Sequence, residues 1–283
     1  MIWHRVSRAS RCKICDHPNW CTWSEAGNCC MRIESVRPLK NGGWLHSFGD
    51  NPRPVRKPEP IAPTIDAEAI MVAWRKNTSE IQLRMLADTL GVSILALSAL
   101  RCAWAPEHNA WAFPMSDGHG MTCGIRLRSL YGNKWSVRGG REGIFRPFIE
   151  VQKTVFVCEG PTDLAALLTL GFFGLGRPSC SGGVSQLGAV IARLGILRAV
   201  IVADNDADKF RPDGKCYNPG FDGALRLEND IGVPCCLLVP PGKDIRLCLS
   251  FGITKEVIES MINNLVWHQP QKPNGREEPA TWE

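Results

Sequence analysis

Residues 155–172, "VFVCEGPTDLAALLTLGF", place one glutamate between an apolar strand and an apolar helix. The first four residues predict a short buried strand, and the leucine-rich half predicts a helix. Glu159 stands at the end of the strand and is followed at once by Gly160 and Pro161, which predict a tight turn. A carboxylate at the end of a buried strand needs a partner, and this pattern favours a metal ion.

From residue 151 onward, predicted strands alternate with predicted helices. Alternation of this kind indicates a parallel sheet covered by helices, with the working residues beyond the carboxyl ends of its strands. Two further strands end in acids, namely Asp204, Asp206 and Asp208 after "AVIV" and Asp244 after "CLLV". Asp204 and Asp206 can both reach one ion, because alternate residues of an extended chain share a face.

Carboxylates that meet at one edge of a sheet repel each other, by about 4 kcal/mol per pair at about 4 Å and an effective dielectric constant of about 20. A divalent cation removes this cost, and ligation by oxygen alone favours Mg²⁺ or Mn²⁺ over zinc. The expected ligands are Glu159, Asp204, Asp206 and Asp244, and Asp208 is either a further ligand or a spectator. Phosphoryl or nucleotidyl transfer is the reaction class that follows. The alternative, a solvated acidic loop, requires three strand ends to be acidic by accident.

"EGPTD" ahead of a helix, followed by "DND" at the end of an apolar strand, resembles the Toprim domain of DnaG-type primases, topoisomerases and some nucleases. The resemblance implies that Glu159, Asp204 and Asp206 are catalytic and hold Mg²⁺, with Glu159 also a general base or acid. "PPGKD" resembles a later acidic element of DnaG-type primases, which implies that Asp244 assists. Asp163 is expected to order the turn rather than to bind metal.

The amino-terminal stretch "CKICDHPNWCTWSEAGNCCMR", residues 12–32, contains five of the 13 cysteines. A Cys-x₂-Cys pair fits structural zinc, because two thiolates from one tight turn reach adjacent tetrahedral positions. The predicted ligands are Cys12, Cys15, Cys21 and Cys30. Cys30 is preferred to Cys29 because "CMR" resembles the last ligand of small zinc-ribbon modules, and His4 and His17 are alternative ligands. We expect a reducing, intracellular setting, since no signal peptide is visible.

DnaG-type primases and phage primase-helicases carry a zinc ribbon ahead of a Toprim core, and the order of segments here is similar. The predicted segments are a zinc module (1–48), a proline-rich linker (49–64), a mixed helical and β subdomain (65–150), the Toprim domain (151–266) and a flexible tail (267–283). In the zinc module, template phosphates are expected to meet Arg5, Arg8, Arg11, Lys13, Arg32, Arg37 and Lys40. The tryptophans there, Trp20, Trp23 and Trp44, either stack on bases or pack around the zinc.

The subdomain of residues 65–150 begins with three predicted helices, expected to pack on one another, and continues into a small antiparallel β unit. The resemblance implies that basic residues in the subdomain bind nucleotide or template. With Lys243 from the later acidic element, the candidates are Arg126, Arg128, Lys134, Arg138, Arg141 and Lys243. Arg126 and Arg128 share one strand face. An ordinary solvated strand face is the alternative.

The whole chain of 283 residues has 44% hydrophobic and 22% charged residues and a net charge of +5, which is typical of a folded soluble protein and compatible with nucleic acid. We expect a cytoplasmic protein of a bacterium, phage or mobile element that makes primers on single-stranded DNA from nucleoside triphosphates. It lacks a P-loop, so a separate replicative helicase is an expected partner and a membrane is not. A Toprim nuclease and a non-catalytic nucleic-acid adaptor are the alternatives. The presence of only 2 Tyr argues against a topoisomerase.

Overall fold

The structure is a computed structural model that describes residues 3–39, 43–47, 64–210 and 216–270. The chain divides into two compact units, residues 1–62 and 63–283. Of the predicted linker, only Thr64 lies within the described residues, and Lys40 lies outside them. No helix in the described ranges combines the length and the apolar character that crossing a bilayer requires.

The amino-terminal unit contains a four-stranded antiparallel sheet in the order β1-β2-β3-β4. Its strands are β1 (His4–Arg5), β2 (Thr22–Ser24), β3 (Gly27–Cys30) and β4 (Trp44–Ser47). Its small core consists of Val6 and four cysteines. So little apolar area cannot hold a unit of this size together, which is why a structural metal is expected here.

The second unit begins with three capped helices: α1 (Ala67–Lys76), α2 (Glu80–Leu90) and α3 (Ile94–Ala99). A second antiparallel sheet follows, with strands β5 (Ala103–Ala105), β6 (Ala110–Ser116), β7 (Thr122–Ser129) and β8 (Lys134–Ser136) and a 3₁₀ turn at Pro106–His108. The sequence predicts that the helices pack on one another, but this is wrong for α1. Met71 and Trp74 of α1 pack instead on the apolar face of the sheet, which includes Ile125 and Leu127.

The remaining residues form the predicted parallel sheet, in the order β10-β9-β11-β14. Its strands are β9 (Thr154–Glu159), β10 (Gly174–Arg177), β11 (Arg198–Val202) and β14 (Cys235–Leu238). The sequence analysis missed β10, whose residues "GLGR" have low strand propensity. Gly174 is needed there because a Cβ would lie 2.7 Å from a side-chain carbon of Leu164.

Helices cover both faces of this sheet, so apolar side chains of successive strand residues enter two different cores. The helices are α4 (Gly160–Thr169), α5 (Val184–Arg193), α6 (Pro219–Asp230), α7 (Ile245–Ser250) and α8 (Lys255–Asn263). Apart from this sheet, β12 (Lys209–Phe210) pairs in antiparallel orientation with β13 (Cys216–Tyr217). Cys235 and Cys236 point to opposite faces, as the sequence predicts.

The carboxyl-terminal segment differs from the predicted flexible tail at its start. His268 exchanges two backbone hydrogen bonds with Cys235, at 2.7 and 2.9 Å, and so extends the pairing next to β14. The guanidinium of Arg198 lies 5.1 Å from the ring centre of Trp267. Residues 271–283 of the predicted tail lie outside the described residues.

Candidate functional site

The acids predicted to act together lie where the order of the parallel strands reverses. From β9 the chain passes to β10 on one side, and later to β11 and β14 on the other. Helices on opposite faces leave a crevice at such a switch point, beyond the carboxyl ends of the strands. A pocket opens there, and its walls include Glu159, Arg177, Cys180 and Asp204.

Glu159 owes its position to the turn that joins β9 to α4. It occupies the N-cap position of α4 in an extended conformation, but its side chain caps no backbone N–H. Gly160 follows with a φ of +84°, a conformation that residues with a side chain rarely adopt. The turn therefore requires glycine, and the Glu159 carboxylate is left to face the pocket.

Asp163 lies in the first turn of α4 and is buried. Its Oδ1 accepts a hydrogen bond from the backbone N–H of Arg246 at 3.4 Å, which links α4 to α7. Asp244 caps α7, since its Oδ1 accepts a hydrogen bond from the N–H of Leu247 at 2.7 Å. Asp163 was predicted to order the turn after β9, but its hydrogen bond goes to α7 instead, and its carboxyl group lies near enough to Asp244 for the two charges to interact.

The loop after β11, which carries Asp204 and Asp206, is held from both sides. The N–H of Asn205 donates to the carbonyl of Lys243 at 2.7 Å, which ties this loop to the turn before Asp244. On the other side, Asn218 caps α6 and donates through its side chain to the carbonyl of Asp206. These contacts bring the second and third acidic strand ends together.

A close approach of α6 to the same loop depends on glycine. A Cβ on Gly220, in the first turn of α6, would lie 2.4 Å from the carbonyl oxygen of Asp204. No side chain fits at such a distance, so glycine lets the helix start directly against the loop. Asp208 is exposed, at the far end of the loop, and its Oδ1 accepts a 3.4 Å hydrogen bond from Asn218.

Carboxyl groups from the three strand ends affect one another's pKa values. Burial raises the pKa of Asp204 to about 8, and the carboxylates of its neighbours add to the effect; these are Asp163, Glu159, Asp206 and Asp244. The pKa of Asp163 is raised to about 7, mainly by burial and then by Asp244. Burial and Asp206 raise the pKa of Glu159. All three predicted strand ends therefore contribute carboxyl groups that repel one another.

These carboxylates fit a hard divalent cation. No ion pair within 4.0 Å joins Glu159, Asp204, Asp206 or Asp244 to a lysine or arginine anywhere in the described ranges. Their oxygens are the ligand type that Mg²⁺ and Mn²⁺ prefer, and Mg²⁺ needs only one or two carboxylates beside water and phosphate. The acids do not form a closed cage: in the described part of the chain, only cysteines bring three or more ligand atoms within 4.8 Å of one another.

Some of the predicted basic residues lie at this site and others do not. Arg126 and Lys134 lower the pKa of Glu159. Burial lowers the pKa of the half-buried Arg128, and the carboxylates of Asp163 and Asp244 partly offset this effect. Arg141 faces away, to an ion pair with Asp117 at 3.9 Å. Arg138 and Lys243 are exposed, and the backbone carbonyl of Lys243 accepts the hydrogen bond from Asn205 described above.

Arg177, at the end of β10, was missed by the sequence analysis together with its strand. Its residue is 5% exposed, and its guanidinium donates to the carbonyls of Gly182 at 3.1 Å and Cys180 at 2.9 Å. A third contact reaches the carbonyl of Gly223 on α6 at 3.5 Å. Arg177 thus shapes the loop that holds Gly182 and Gly183, and places a positive charge beside Glu159, its register neighbour.

The predicted zinc ligands converge in the amino-terminal unit. Sγ atoms of Cys12, Cys15, Cys21 and Cys30 all lie within 4.8 Å of one another and are buried. Cys30 belongs to this quartet and Cys29 does not, because neighbouring residues of β3 point to opposite faces. The alternatives His4 and His17 are outside the quartet, and the His4 ring stacks on Trp23 with the centres 4.9 Å apart.

The surroundings of the quartet suit thiolates. Backbone N–H groups of Met31 and Ile33 donate to Sγ of Cys21 and Cys30 at 3.4 and 3.3 Å, and the buried Asn28 side chain donates to Sγ of Cys12 at 3.3 Å. Donors to sulfur favour the charged form that a metal binds. A hydrogen bond from Cys30 lowers the pKa of Cys12 to about 4, and burial raises the pKa of Cys21 to about 11. Because these pKa values move in opposite directions, all four cysteines become thiolates together only when a cation is bound. Four thiolates suit structural zinc.

Two of the tryptophans predicted to stack on bases or to pack around the zinc differ in their exposure. Trp20 is 78% exposed and has a φ of +72°, and Arg32 holds the preceding residue through two hydrogen bonds to Asn19, at 2.8 and 2.9 Å. Trp23 instead packs against the cysteine core. Its role is the structural one of the two alternatives, whereas the indole of Trp20 is open to solvent.

Solved structures with a similar fold include primases, among them DnaG catalytic cores. The zinc-binding and RNA polymerase domains of Aquifex aeolicus primase match with a TM-score of 0.55 and 13% identity, over 71% of this chain and 60% of that chain. A DnaG primase catalytic domain bound to ssDNA matches with a TM-score of 0.54 and 12% identity, over 70% of this chain and 78% of that chain. The Escherichia coli primase catalytic core matches with a TM-score of 0.51 and 14% identity, over 71% of this chain and 79% of that chain. No family model and no curated protein sequence matches the chain.

Because the sequence identities are only 12–14%, these matches show a shared fold and nothing finer. The chain has the fold of DnaG-type catalytic cores, with a parallel sheet flanked by helices and a small amino-terminal cysteine cluster. The predicted fold class and the predicted resemblance to this family are confirmed at that level.

The cysteine geometry yields a prediction for zinc content. Cys30→Ser is expected to reduce zinc in the purified protein from about one equivalent to a small fraction, because one of four ligands is lost. Cys29→Ser, one residue away on the opposite face of β3, is the matched control and should retain its zinc. Elemental analysis by mass spectrometry measures both, and loss of zinc from Cys29→Ser alone would contradict the assignment.

The raised pKa of Asp204 yields a prediction for stability without divalent cations. Between the unfolded pKa of about 4 and the folded pKa of about 8, the folded protein keeps a proton that the unfolded chain releases. The free energy of unfolding therefore falls as the pH rises through this range. Asp204→Asn cannot ionise, so its Tm in EDTA should fall less between pH 5 and pH 8.5 than that of the wild type.

The control for this measurement is the exposed Asp230→Asn at the end of α6, which should keep the wild-type slope. Identical slopes for Asp204→Asn and the wild type would show that the pKa of Asp204 is not raised in the folded protein.

Proposed function

We propose that the protein is a primase-like nucleotidyltransferase that makes short primers on a single-stranded DNA template. The observation that carries the proposal is the meeting of carboxylates from three strand ends at the switch point of a sheet that has the fold of primase catalytic cores. Carboxylates that destabilise one another at this position are costly to a fold unless a ligand compensates them, and a divalent cation with a polyphosphate does so.

Each acid has a proposed role that follows from its placement. Glu159, Asp204 and Asp206 hold Mg²⁺ or Mn²⁺ and form the catalytic group, as the Toprim resemblance implies. A bound cation of this kind would neutralise the site and orient phosphate oxygens. One carboxylate oxygen of Asp244 caps α7, and the other is proposed to assist in binding the cation. Asp208 is the outermost of the proposed ligands.

Glu159 is also suited to a proton transfer. Its pKa is raised by burial, and a carboxylate with a raised pKa is a better base for the 3′-hydroxyl of a growing primer than an ordinary one. Its side chain caps no helix, so no structural hydrogen bond competes for the proton.

Basic side chains at the same edge are proposed to bind nucleotide and template. Arg126 and Arg128 face the acids from β7, and Arg126 also donates to the carbonyl of Pro178 at 3.3 Å. Guanidinium groups bind phosphates through paired hydrogen bonds, so two of them on one strand face suit a triphosphate or a backbone. Lys134, Arg138, Arg141 and Lys243 are kept as weaker candidates, since only Lys134 lies close to Glu159.

The zinc module is proposed to contact the template through its basic residues and Trp20. A separate helicase remains a proposed partner, as does a cytoplasmic setting in a bacterium, phage or mobile element. The DnaG catalytic domain that matches in fold is itself bound to ssDNA, which supports single-stranded DNA as the template.

The test is primer synthesis by the purified full chain with circular single-stranded DNA, labelled nucleoside triphosphates and Mg²⁺. We expect short labelled products, reduced at least about 100-fold in Glu159→Gln because the variant loses both a ligand and a base. Glu150→Gln, an exposed charge just before β9, is the matched control and should keep wild-type activity.

Two results would contradict the proposal. Shortened template without new product would show a nuclease, which shares the acids. Equal product from Glu159→Gln and the wild type would show that any synthesis comes from a contaminating polymerase.

A further inference from the structure

The connection between β11 and α6 is longer than the sheet requires. It covers residues 203–218, whereas α4 begins directly after β9 and α5 follows β10 after residues 178–183. Connections between strands and helices in such folds usually have about two to six residues. The extra length contains β12 and β13, which pair with each other and with no other strand in the part of the chain that the structure describes. These two strands are called the β12–β13 ribbon below.

The base of the β12–β13 ribbon is fixed to the acidic loop. Asn218, directly after β13, donates through its side chain to the carbonyl of Asp206 and, at 3.4 Å, to Oδ1 of Asp208, which directly precedes β12. Oδ1 of Asn218 accepts a hydrogen bond from the N–H of Phe221 at 3.1 Å and so caps α6. One side chain therefore ties both ends of the ribbon to a helix and to the loop that carries two of the proposed cation ligands.

The β12–β13 ribbon exposes an aromatic ring and a positive charge. Phe210 is 73% exposed, and Cys216, the residue opposite it in the pairing, is also exposed and too small to cover the ring. Lys209 is exposed and forms no ion pair within 4.0 Å among the residues described. A two-stranded pair that buries so little is only marginally stable in water, so a ligand on the ribbon would stabilise it.

The length of the chain keeps Phe210 close to the proposed cation site. Phe210 follows Asp206 by four residues, and an extended chain covers at most about 3.6 Å per residue. The Cα atoms of these two residues are therefore within about 14 Å of each other. Along one strand of a nucleic-acid helix, successive phosphates are about 3.4 Å apart in rise. A strand with one phosphate at the cation can therefore reach the ribbon within about four nucleotides.

We infer that the β12–β13 ribbon binds single-stranded DNA, with the ring of Phe210 stacked on a base a few nucleotides from the cation and Lys209 on a neighbouring phosphate. The inference deepens the proposed function and rests on it for the strand at the acids. Surfaces that bind single strands combine exposed rings with positive charges, because every base has a π face and every nucleotide has a phosphate. An apolar protein surface would also cover the ring, but it would leave the charge of Lys209 without a partner.

The experiment measures the affinity of the full chain for a labelled oligothymidylate by fluorescence anisotropy, with Mg²⁺ present. Phe210→Ala should weaken binding about tenfold, which is within the range that the stacking of one base contributes. Phe210→Trp keeps an aromatic face and should bind like the wild type. Phe251→Ala is the matched control, because Phe251 is 80% exposed at the end of α7 and lies outside the ribbon. It should also bind like the wild type.

A second probe separates the effect of the ring from that of the charge. An oligomer of abasic deoxyribose phosphates, equal in length, has the phosphates but no bases, so Phe210→Ala should change its affinity less than about twofold. Lys209→Ala should weaken the binding of both oligomers. It should also reduce the slope of log affinity against log salt concentration by about 0.7, the value for one phosphate contact on a single strand.

Three results would overturn the inference. Unchanged affinity of Phe210→Ala for the oligothymidylate would show that no base stacks on the ring and would favour a protein partner for it. Equal weakening of both oligomers by Phe210→Ala would show that the effect does not come from a base. Equal weakening by Phe251→Ala and Phe210→Ala would show that the effect is not particular to the ribbon.

The outcome is separable from that of the proposed function. If the wild type makes no primers but Phe210→Ala loses affinity for the oligothymidylate alone, the primase proposal fails and the DNA-binding ribbon stands. If primers form and Phe210→Ala binds both oligomers like the wild type, the reverse holds.

Discussion

Repulsion among carboxylates at one edge of a parallel sheet is the constraint on which the second unit depends. Burial and neighbouring acids raise the pKa of Asp204 to about 8, so the metal-free site is kept partly neutral by protons. The fold does not relieve this repulsion with arginines in direct contact. It holds the acids in place instead, which leaves the neutralising role to a ligand that brings its own positive charge, such as a divalent cation.

The acids are held in position by main-chain conformations and a backbone hydrogen bond rather than by side-chain ion pairs. Gly160 makes the turn after β9 possible, Gly220 lets α6 start against the acidic loop, and the Asn205–Lys243 hydrogen bond joins that loop to the next strand's turn. Each device acts on the main chain at the end of a strand. The positions of the carboxylates are therefore set by main-chain geometry at the ends of the strands.

Sequence patterns predicted the features that follow from local rules. The resemblance of "CMR" to the last ligand of zinc-ribbon modules predicted Cys30, which the structure groups with Cys12, Cys15 and Cys21, and acids directly after apolar strands mark the proposed site. Features set by tertiary contacts escaped prediction. β10 is too rich in glycine to read as a strand, and Arg177 was missed with it. Arg246 follows a helix cap in sequence, and its backbone contact with Asp163 forms only when α7 packs beside α4.

The most direct test of this account is anomalous diffraction from crystals of the full chain soaked in Mn²⁺. The account predicts a manganese peak bounded by the carboxylates of Glu159, Asp204 and Asp206. Absence of a peak there, with arginine side chains turned onto these carboxylates, would contradict it. Such a result would leave a zinc-binding protein with the fold of a primase core and a different purpose for its acids.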